Sequence, residues 1–345
     1  MICILSQAFL EPTTEAVMDW LRAWEVPFVR INGSDIDHLG GPKISISTKE
    51  IELKINIDGV IVSPSEIEVV WFRRWAYNNK HRKVDLFKND LHHSDQNLFM
   101  SYHHVYQELQ TVSYFLFSML SHAVWLGDPK TSSPNKLQMM QSAIEIGLDV
   151  PDTLITTDIE DVRAFARKHG QIVTKPVSDM LLCVFEDLVF ASYTSVVPEE
   201  FLRDGTWRGS FPSLFQEKLE KKYEIRTFYL DGQCYSMVIF SQHIPTTEVD
   251  FRRYSFDNPA RTVPYQLPVE IEDKLHVLMK ILDLRTGSID IIRTVDGRYV
   301  FLEVNPNGQF GMVSEPCNYF LEKKVARYLA DNFYDSTRRT NQIFC

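Results

Sequence analysis

The stretch from Gly287 to Gln309, GSIDIIRTVDGRYVFLEVNPNGQ, constrains the fold more than any other part of the chain. Two apolar, β-branched runs flank Asp296-Gly297, a dipeptide that favours a tight hairpin turn. Asp290 falls on the first expected strand. Glu303 and Asn305 fall at the end of the second, two residues apart, so they project from one face. The hairpin therefore aims two carboxylates and an amide at one place. Oxygen donors of this kind suit Mg²⁺, which normally shares such ligands with phosphates. Ordinary surface acids on an isolated hairpin would read the same way. The rest of the chain favours the metal.

At 345 residues the chain has room for two domains, or for one domain of several lobes. A composition of 44% hydrophobic and 24% charged residues is ordinary for a globular protein, with a core that needs no metal or disulfide staple. Lys and Arg number 36 against 46 Asp and Glu, a net charge of −10. That balance argues against nucleic acid as a partner, which requires a basic face. An acidic substrate would have to be met by a local basic site. Five cysteines (Cys3, Cys183, Cys234, Cys317 and Cys345) form no Cys-x-x-Cys pair, so reduced thiols in a cytoplasmic protein are expected. The opening MICILSQAFL lacks a basic n-region and is expected to be a buried strand, not a signal peptide. The apolar region Tyr114–Leu126 is interrupted by Ser118, Ser121 and His122 and is too short to span a membrane.

The pattern along the chain alternates between helix and strand. Met1–Ser6 and Pro27–Ile31 read as strands around a helix at Thr14–Trp24, in which Val17, Trp20, Leu21 and Trp24 share a face. Ile44–Ile57 reads as one strand turning at Asp58-Gly59 into Val60–Val62, and Val69–Trp75 as a buried strand with a charged end. A polar loop is expected over 78–90 and a long helix from Leu98 to Leu120. The pairs His92-His93 and His103-His104 point about 100° apart on a helix, so surface or packing roles are favoured over chelation. After the break at Gly127–Pro134, a helix is expected with Ser133 as N-cap and Pro134 at its first position, ending at Gly147. Further elements are a helix over Asp158–His169, a strand over Gln171–Lys175, a hairpin over Val184–Thr194 and a short helix over Pro198–Arg203. Strands follow at Leu214–Leu219, Ile225–Leu230 and Gln233–Ser241, then a helix over Val269–Leu282. After the hairpin comes a closing helix over Asn318–Asn332, with a disordered polar end from Ser336 to Gln342.

Several residues outside the hairpin carry nucleotide chemistry. Lys136 opens a helix after a break, and Lys175 ends a strand in VTKP. Each alone is an ordinary solvated charge, but together they can hold phosphate oxygens as point charges. Gln216-Glu217-Lys218-Leu219 lies between two expected strands, where a peptide edge can pair with an adenine. Glu224, seven residues after Glu217, can accept from ribose hydroxyls.

With those residues in view, the chain resembles the ATP-grasp ligases. NKLQ…GLDVPDTL, VTKP, QEKL…EIR and SIDII…FLEVNPNGQ occur in that family's order from about residue 128 to 330, and the separations match the D-alanine–D-alanine ligases. The resemblance implies ATP with two Mg²⁺ ions as cofactors. It implies Lys136 and Lys175 on the nucleotide phosphates, Gln216 to Leu219 at the adenine, and Glu224 at the ribose. Asp290, Glu303 and Asn305 would hold the two ions. The implied fold is α/β (α+β): an N-terminal pre-ATP-grasp α/β domain over 1–128, a central ATP-grasp subdomain over 129–212 and a C-terminal catalytic domain over 213–345.

A narrower resemblance covers most of the chain. VWFRRW at 70–75, SQ at 241–242, DFRRY at 250–254 and EVNPNGQF at 303–310 are similar to the microviridin-type ligases, or graspetide synthetases, which crosslink side chains of ribosomal precursor peptides. QFGMVSEPCNYFLEKKVARYL is most similar to the grasp-with-spasm maturase branch. By that likeness Arg226 and Arg252 meet phosphate or an acyl-phosphate, a surface salt bridge being the other reading. The partner implied is a precursor peptide, and the assembly implied is a homodimer. A leader segment would meet Val184–Arg203, with Glu199 and Glu200 as acidic contacts; alternatively those acids complement their own helix dipole. Arg73 and Arg74 would meet core carboxylates or form a structural ion pair. The segment PVSDMLL after Lys175 departs from the family, because many members cover the phosphates there with a glycine-rich loop.

The expected activity is therefore ATP-dependent macrocyclisation of a peptide through side-chain esters or amides. A carboxylate–amine ligase acting on a free amino acid or a protein tail would use the same core site. A binding-only nucleotide regulator would have less need of the full metal set.

Overall fold

The structure, a computed structural model, describes residues 1–37, 41–57, 59–76, 95–178, 182–185, 188–203, 211–241 and 260–343. The chain divides into two compact units, Met1–Pro129 with Phe320–Cys345, and Lys130–Tyr319.

The first unit is built on β1 (Ile2–Ser6), α1 (Pro12–Ala23) and β2 (Phe28–Asn32). β3 (Lys43–Ile46), β4 (Ile51–Ile57) and β5 (Val60–Val62) form a separate antiparallel sheet. β6 (Val69–Phe72), α2 (Asp95–Met119) and β7 (Val124–Leu126) complete the set. The main sheet runs β2-β1-β6-β7 with every pairing parallel. Its inner strands β1 and β6 are buried along their whole length, which is why they read as unbroken apolar runs rather than alternating ones. The single strand expected over Ile44–Ile57 is two strands. Ser47 breaks it by accepting from the backbone N–H groups of Lys49 and Glu50 through its Oγ, a local turn that competes with the ladder. β7 is an additional strand whose three residues end the apolar region before Gly127. His103 and His104 lie exposed on α2; His92, His93 and the loop expected over 78–90 fall outside the described residues.

The second unit begins with α3 (Lys136–Glu145), β8 (Thr153–Thr156), α4 (Ile159–His169) and β9 (Ile172–Lys175). The N-cap of α3 is Asn135 rather than Ser133. Its Oδ1 accepts from the N–H groups of Leu137 and Gln138, and Pro134 stands outside the helix. Next come the hairpin β10 (Leu182–Phe185) and β11 (Leu188–Ala191), β12 (Ser195–Val196), α5 (Glu199–Arg203) and β13 (Ser213–Glu217). β12-β9-β13-β8 form an antiparallel sheet. The larger sheet uses β14 (Lys221–Leu230), β15 (Gln233–Phe240), β16 (Arg261–Tyr265), β17 (Thr286–Thr294) and β18 (Tyr299–Asn305), with α6 (Val269–Ile281) between β16 and β17. Its order is β16-β15-β14-β17-β18, antiparallel throughout. One face buries Ile225, Val238, Ile289, Ile291 and Phe301 in a core with Met139 of α3 and Leu275 and Leu278 of α6. The opposite face carries Glu224, Arg226 and Asp290, together with Phe228, which packs on Phe310.

The closing helix expected over Asn318–Asn332 is α7 (Gly311–Cys317) followed by α8 (Leu321–Ile343). Asn318 at φ 53°, a left-handed conformation that Asn tolerates, separates them. The end from Ser336 to Gln342 is helical within α8, a correction to the disorder expected from its polarity. α8 belongs to the first unit, where Lys323 and Arg327 stack over Trp20 and Trp24 of α1 at 4.7 and 4.4 Å from the ring centroids. Cys3, Cys234 and Cys317 are free thiols; the side chains of Cys183 and Cys345 lie outside the description. No helix among the described residues is long and apolar enough to cross a membrane.

Candidate nucleotide and metal site

The hairpin β17–β18 forms as expected, with one addition. Asp290 pairs with Glu303 and Ser288 with Asn305, but Ile291 pairs with Phe301, so Leu302 is an extra residue in a β-bulge. The bulge lets Phe301 enter the core while Glu303 faces the other way, two residues on. Asp290 and Glu303 are thus direct cross-strand neighbours, with Asn305 one step further along the same face.

The loop after β18 is pinned close to the sheet. A side chain at Gly308 would place its Cβ 2.4 Å from the Cβ and Oγ of Ser288, so only glycine fits there. Asn305 accepts the Gly308 N–H through its carbonyl, and Phe310 stacks on Phe228 with ring centroids 4.7 Å apart. From the far side, α3 reaches β18 twice. Met139 Sδ accepts the Val304 N–H at 3.0 Å, and Lys136 Nζ lies 3.0 Å from Glu303 Oε2. The two residues are three apart on one helix, so a single helical face both packs the strand and supplies its cation.

Arg226 lies beside Asp290 on β14, and its Nη1 donates to both carboxylate oxygens at 2.7 Å. Burial pushes the Asp290 carboxyl up to about 6 against the pull of the Arg226 guanidinium, with Glu303 and Glu224 adding repulsion. Glu224, two residues from Arg226 on the same face, accepts from Lys221 Nζ and Ser241 Oγ, both at 2.5 Å and both on Oε1. Among the described residues no three His, Cys, Asp or Glu side chains form a metal-holding group. The set here is two carboxylates and an amide. Two adjacent, poorly solvated carboxylates require cations, and this donor chemistry fits Mg²⁺ that takes its other ligands from phosphates.

The remaining expected residues fall into three groups. Lys175 ends β9, where it pairs with Leu214 of β13; Gln216 and Glu217 lie further along the same strand pair. Gln216 is buried and donates to Thr153 Oγ1, and Glu217 Oε1 accepts the Asp152 N–H. The N–H groups of Glu217 and Lys218 go to Asp152 and Gln171, and Lys218 Nζ donates to Gln171 Oε1. Leu219 lies in the short link between β13 and β14. In the first unit, Arg73 and Arg74 share Glu11: Nε to carboxylate distances are 3.4 and 3.1 Å, and the Glu11 side chain is 1% exposed. Burial lowers Arg73 to about 10, and Arg73 also donates to Thr13 Oγ1. Glu199 pairs with Arg203 on the exposed surface of α5, and Glu200 is exposed beside it. Arg252 falls outside the described residues. Sequence reading missed Glu11 and Lys221, partners of candidate residues, and Met139, which meets the Val304 N–H; Ser241 entered it only as part of the SQ motif, not as a partner of Glu224.

No family model and no curated protein matches the chain. Solved structures do. The chain is similar to a Chryseobacterium gregarium RiPP-associated ATP-grasp ligase in complex with ADP and a leader and core peptide. The TM-score is 0.81 at 22% identity, over 97% of this chain and 96% of that one. It is similar to the macrocyclase MdnC of Microcystis aeruginosa bound with precursor peptide MdnA, with TM-score 0.77 at 25% identity over 96% and 100% of the two chains. It is also similar to the ATP-grasp ligase PsnB complexed with minimal precursor, Mg and ADP, with TM-score 0.72 at 19% identity over 96% of each. The fold is that of the ATP-grasp ligases. Within that fold the likeness runs, over almost the full chain, to ligases of ribosomal peptides.

Proposed function

We infer that this protein is an ATP-dependent peptide macrocyclase, an ADP-forming ligase that joins side chains within a ribosomally made precursor peptide. The observation that carries the reading is the Asp290–Glu303 pair, flanked by Arg226 and Lys136 on one face of an ATP-grasp sheet. A carboxylate oxygen of a substrate Asp or Glu attacks the γ-phosphorus of ATP, the bond to the bridging oxygen breaks, and ADP leaves. A Ser or Thr oxygen, or a Lys nitrogen, of the same peptide then adds to the acyl carbon and loses its proton. Phosphate departs with the electrons of the carbon–oxygen bond, leaving an ester or amide. Phosphorylation is needed because a free carboxylate repels nucleophiles and has no leaving group.

The protein's part is positioning and charge neutralisation. Lys136 and Lys175 hold phosphate oxygens, and Arg226 and Arg252 take the phosphoryl group in transfer. Glu217 and Leu219 hold the adenine, and Glu224 the ribose. Asp290, Glu303 and Asn305 would hold two Mg²⁺ ions, which would supply positive charge to offset the negative charge of phosphoryl transfer. Residues 129–212 act as the central ATP-grasp lobe and residues 213–319 as the catalytic lobe, while 1–128 and the C-terminal residues from Phe320 form the other unit. Arg74, whose side chain is 30% exposed, meets core carboxylates, and the buried Arg73 keeps the structural ion pair with Glu11. A homodimer and a cytoplasmic location belong to the same reading.

Incubation with a candidate precursor peptide carrying Ser/Thr and Asp/Glu side chains, ATP and Mg²⁺ is expected to remove the mass of one water per crosslink, read by mass spectrometry. Peptide of unchanged mass after full ATP consumption would overturn the reading. The leader contact has its own test. Reversing charge at Glu199 and Glu200 should weaken leader binding several-fold in calorimetry and leave nucleotide affinity alone; unchanged leader affinity would reject that contact.

Asp290 supplies a pH signature. Its carboxyl, raised to about 6, is half protonated near that pH in the metal-free fold, whereas a metal ligand must be ionised. Binding of Mg²⁺–ADP near pH 6 should therefore release about half a proton, and almost none at pH 8. The measurement is calorimetry in buffers of different ionisation enthalpy, with Asp290→Asn expected to abolish the release. For the same reason the metal-free fold loses stability from this group as pH rises from about 4 through 6.

A further inference from the structure

Lys221 and Ser241 form a grip on Glu224 that nothing in the reaction chemistry calls for. Lys221 and Glu224 are three apart on β14, and in a regular strand such residues face opposite sides of the sheet. Here they share a side, because Lys221 pairs with Thr294, Tyr223 with Arg293 and Glu224 with Ile292. Lys222 is the extra residue of a β-bulge, which turns Lys221 onto the face that carries Arg226 and Asp290. The resulting ion pair is nearly buried, with side-chain exposures of 8% for Lys221 and 11% for Glu224.

The second donor comes from the neighbouring strand. Ser241 follows β15 directly and is fully buried, and its hydroxyl donates to the same oxygen that Lys221 reaches. Both short contacts fall on Oε1. Among the described residues no hydrogen bond engages Oε2. One oxygen is thus fixed from two directions, and the other is held in a set orientation on the face that carries Arg226 and Asp290. A carboxylate fixed in this way presents an acceptor for a pair of hydroxyls at low entropic cost, since its rotamer is already chosen.

We propose that Lys221, assisted by Ser241, is a positioning residue that sets the ligase's selectivity for a nucleotide with an intact ribose cis-diol. The proposal rests on the reading that Glu224 meets the ribose, and it assigns the discrimination to the residues that aim Glu224. A hydrogen bond to a charged acceptor discriminates by about 10- to 100-fold, so 2′-deoxynucleotide should bind more weakly by that factor. Losing the grip should remove the preference by lowering affinity for the ribonucleotide alone, because the deoxynucleotide never used the oriented oxygen fully.

The test compares ADP with 2′-deoxy-ADP, each with Mg²⁺, by calorimetry on the full chain. Wild type should prefer ADP by about tenfold or more. Lys221→Met should bring the two within about twofold by weakening ADP only, and Lys221→Arg should keep most of the preference. Ser241→Ala, a smaller change, should lower the ratio part of the way and serves where Lys221→Met fails to fold. A wild type indifferent to the 2′-hydroxyl would remove Glu224 from the ribose and end both the reading and the proposal. A selective wild type whose Lys221→Met and Ser241→Ala variants keep the full ratio, or lose both nucleotides equally, would overturn the proposal and leave the reading standing.

Discussion

Replacing Asp290, Glu303 or Asn305 by alanine is expected to lower peptide-dependent ATP turnover by at least about 10²-fold in each case, the scale of losing one preorganised charge-stabilising group. The three changes should differ in what else they do. Asn305 is exposed and holds the loop through its backbone carbonyl, so its loss should leave stability nearly unchanged. Glu303 pairs with Lys136 at a partly exposed position, and removing it should cost little stability. Asp290 is the exception, because Arg226 is buried against it with both carboxylate oxygens engaged. Its alanine variant leaves a buried guanidinium without its counter-charge, so Asp290→Asn is the cleaner probe of chemistry. ADP release, measured with the precursor peptide alongside a melting curve for each variant, separates the two effects. Ordinary turnover in all three variants with normal melting would reject the metal assignment.

Glu11→Ala is expected to be the most destabilising single change in the first unit. Glu11 is buried at the start of α1, where it accepts from Thr14 Oγ1 at 2.8 Å and faces Arg73 and Arg74. Removing one partner of a buried ion pair costs about 3–5 kcal/mol, mostly through the charge left behind. Arg73 is already strained by burial, which holds its guanidinium at about 10. A fall in melting temperature on the order of 10 °C follows for a unit of this size. Glu11→Gln, which keeps the shape and loses the charge, should recover part of it. A melting point within a degree or two of wild type for both variants would show that the arginines find other partners and that Glu11 is dispensable.

The contrast between these sites explains what the sequence made legible. The hairpin carrying Asp290, Glu303 and Asn305 was readable because Asp296-Gly297 fixes its turn and β-branched runs fix its strands. The bulges at Leu302 and Lys222 were not, since an inserted residue leaves the apolar pattern nearly intact while changing which side chains share a face. For that reason Lys221 was missed as a partner of Glu224, although it lies three residues away. Glu11 was missed for the opposite reason: its partners stand some sixty residues further along, and only the parallel pairing of β1 with β6 brings the strand ends together. Ser133 and Asn135 are both good helix caps, and Pro134 favours the first on local grounds. The structure selects Asn135, whose side chain reaches two orphan N–H groups of α3. Polar composition at 336–342 suggested disorder, but it lies within a continuous helix whose earlier turns stack on the tryptophans of α1.

The most direct test is a crystal of the protein grown with ADP and Mn²⁺ and measured for anomalous scattering. The account predicts metal peaks about 2.0–2.2 Å from carboxylate oxygens of Asp290 and Glu303, with Asn305 Oδ1 in the same shell and phosphate oxygens completing it. Metal bound to the phosphates while those three side chains point elsewhere would contradict it.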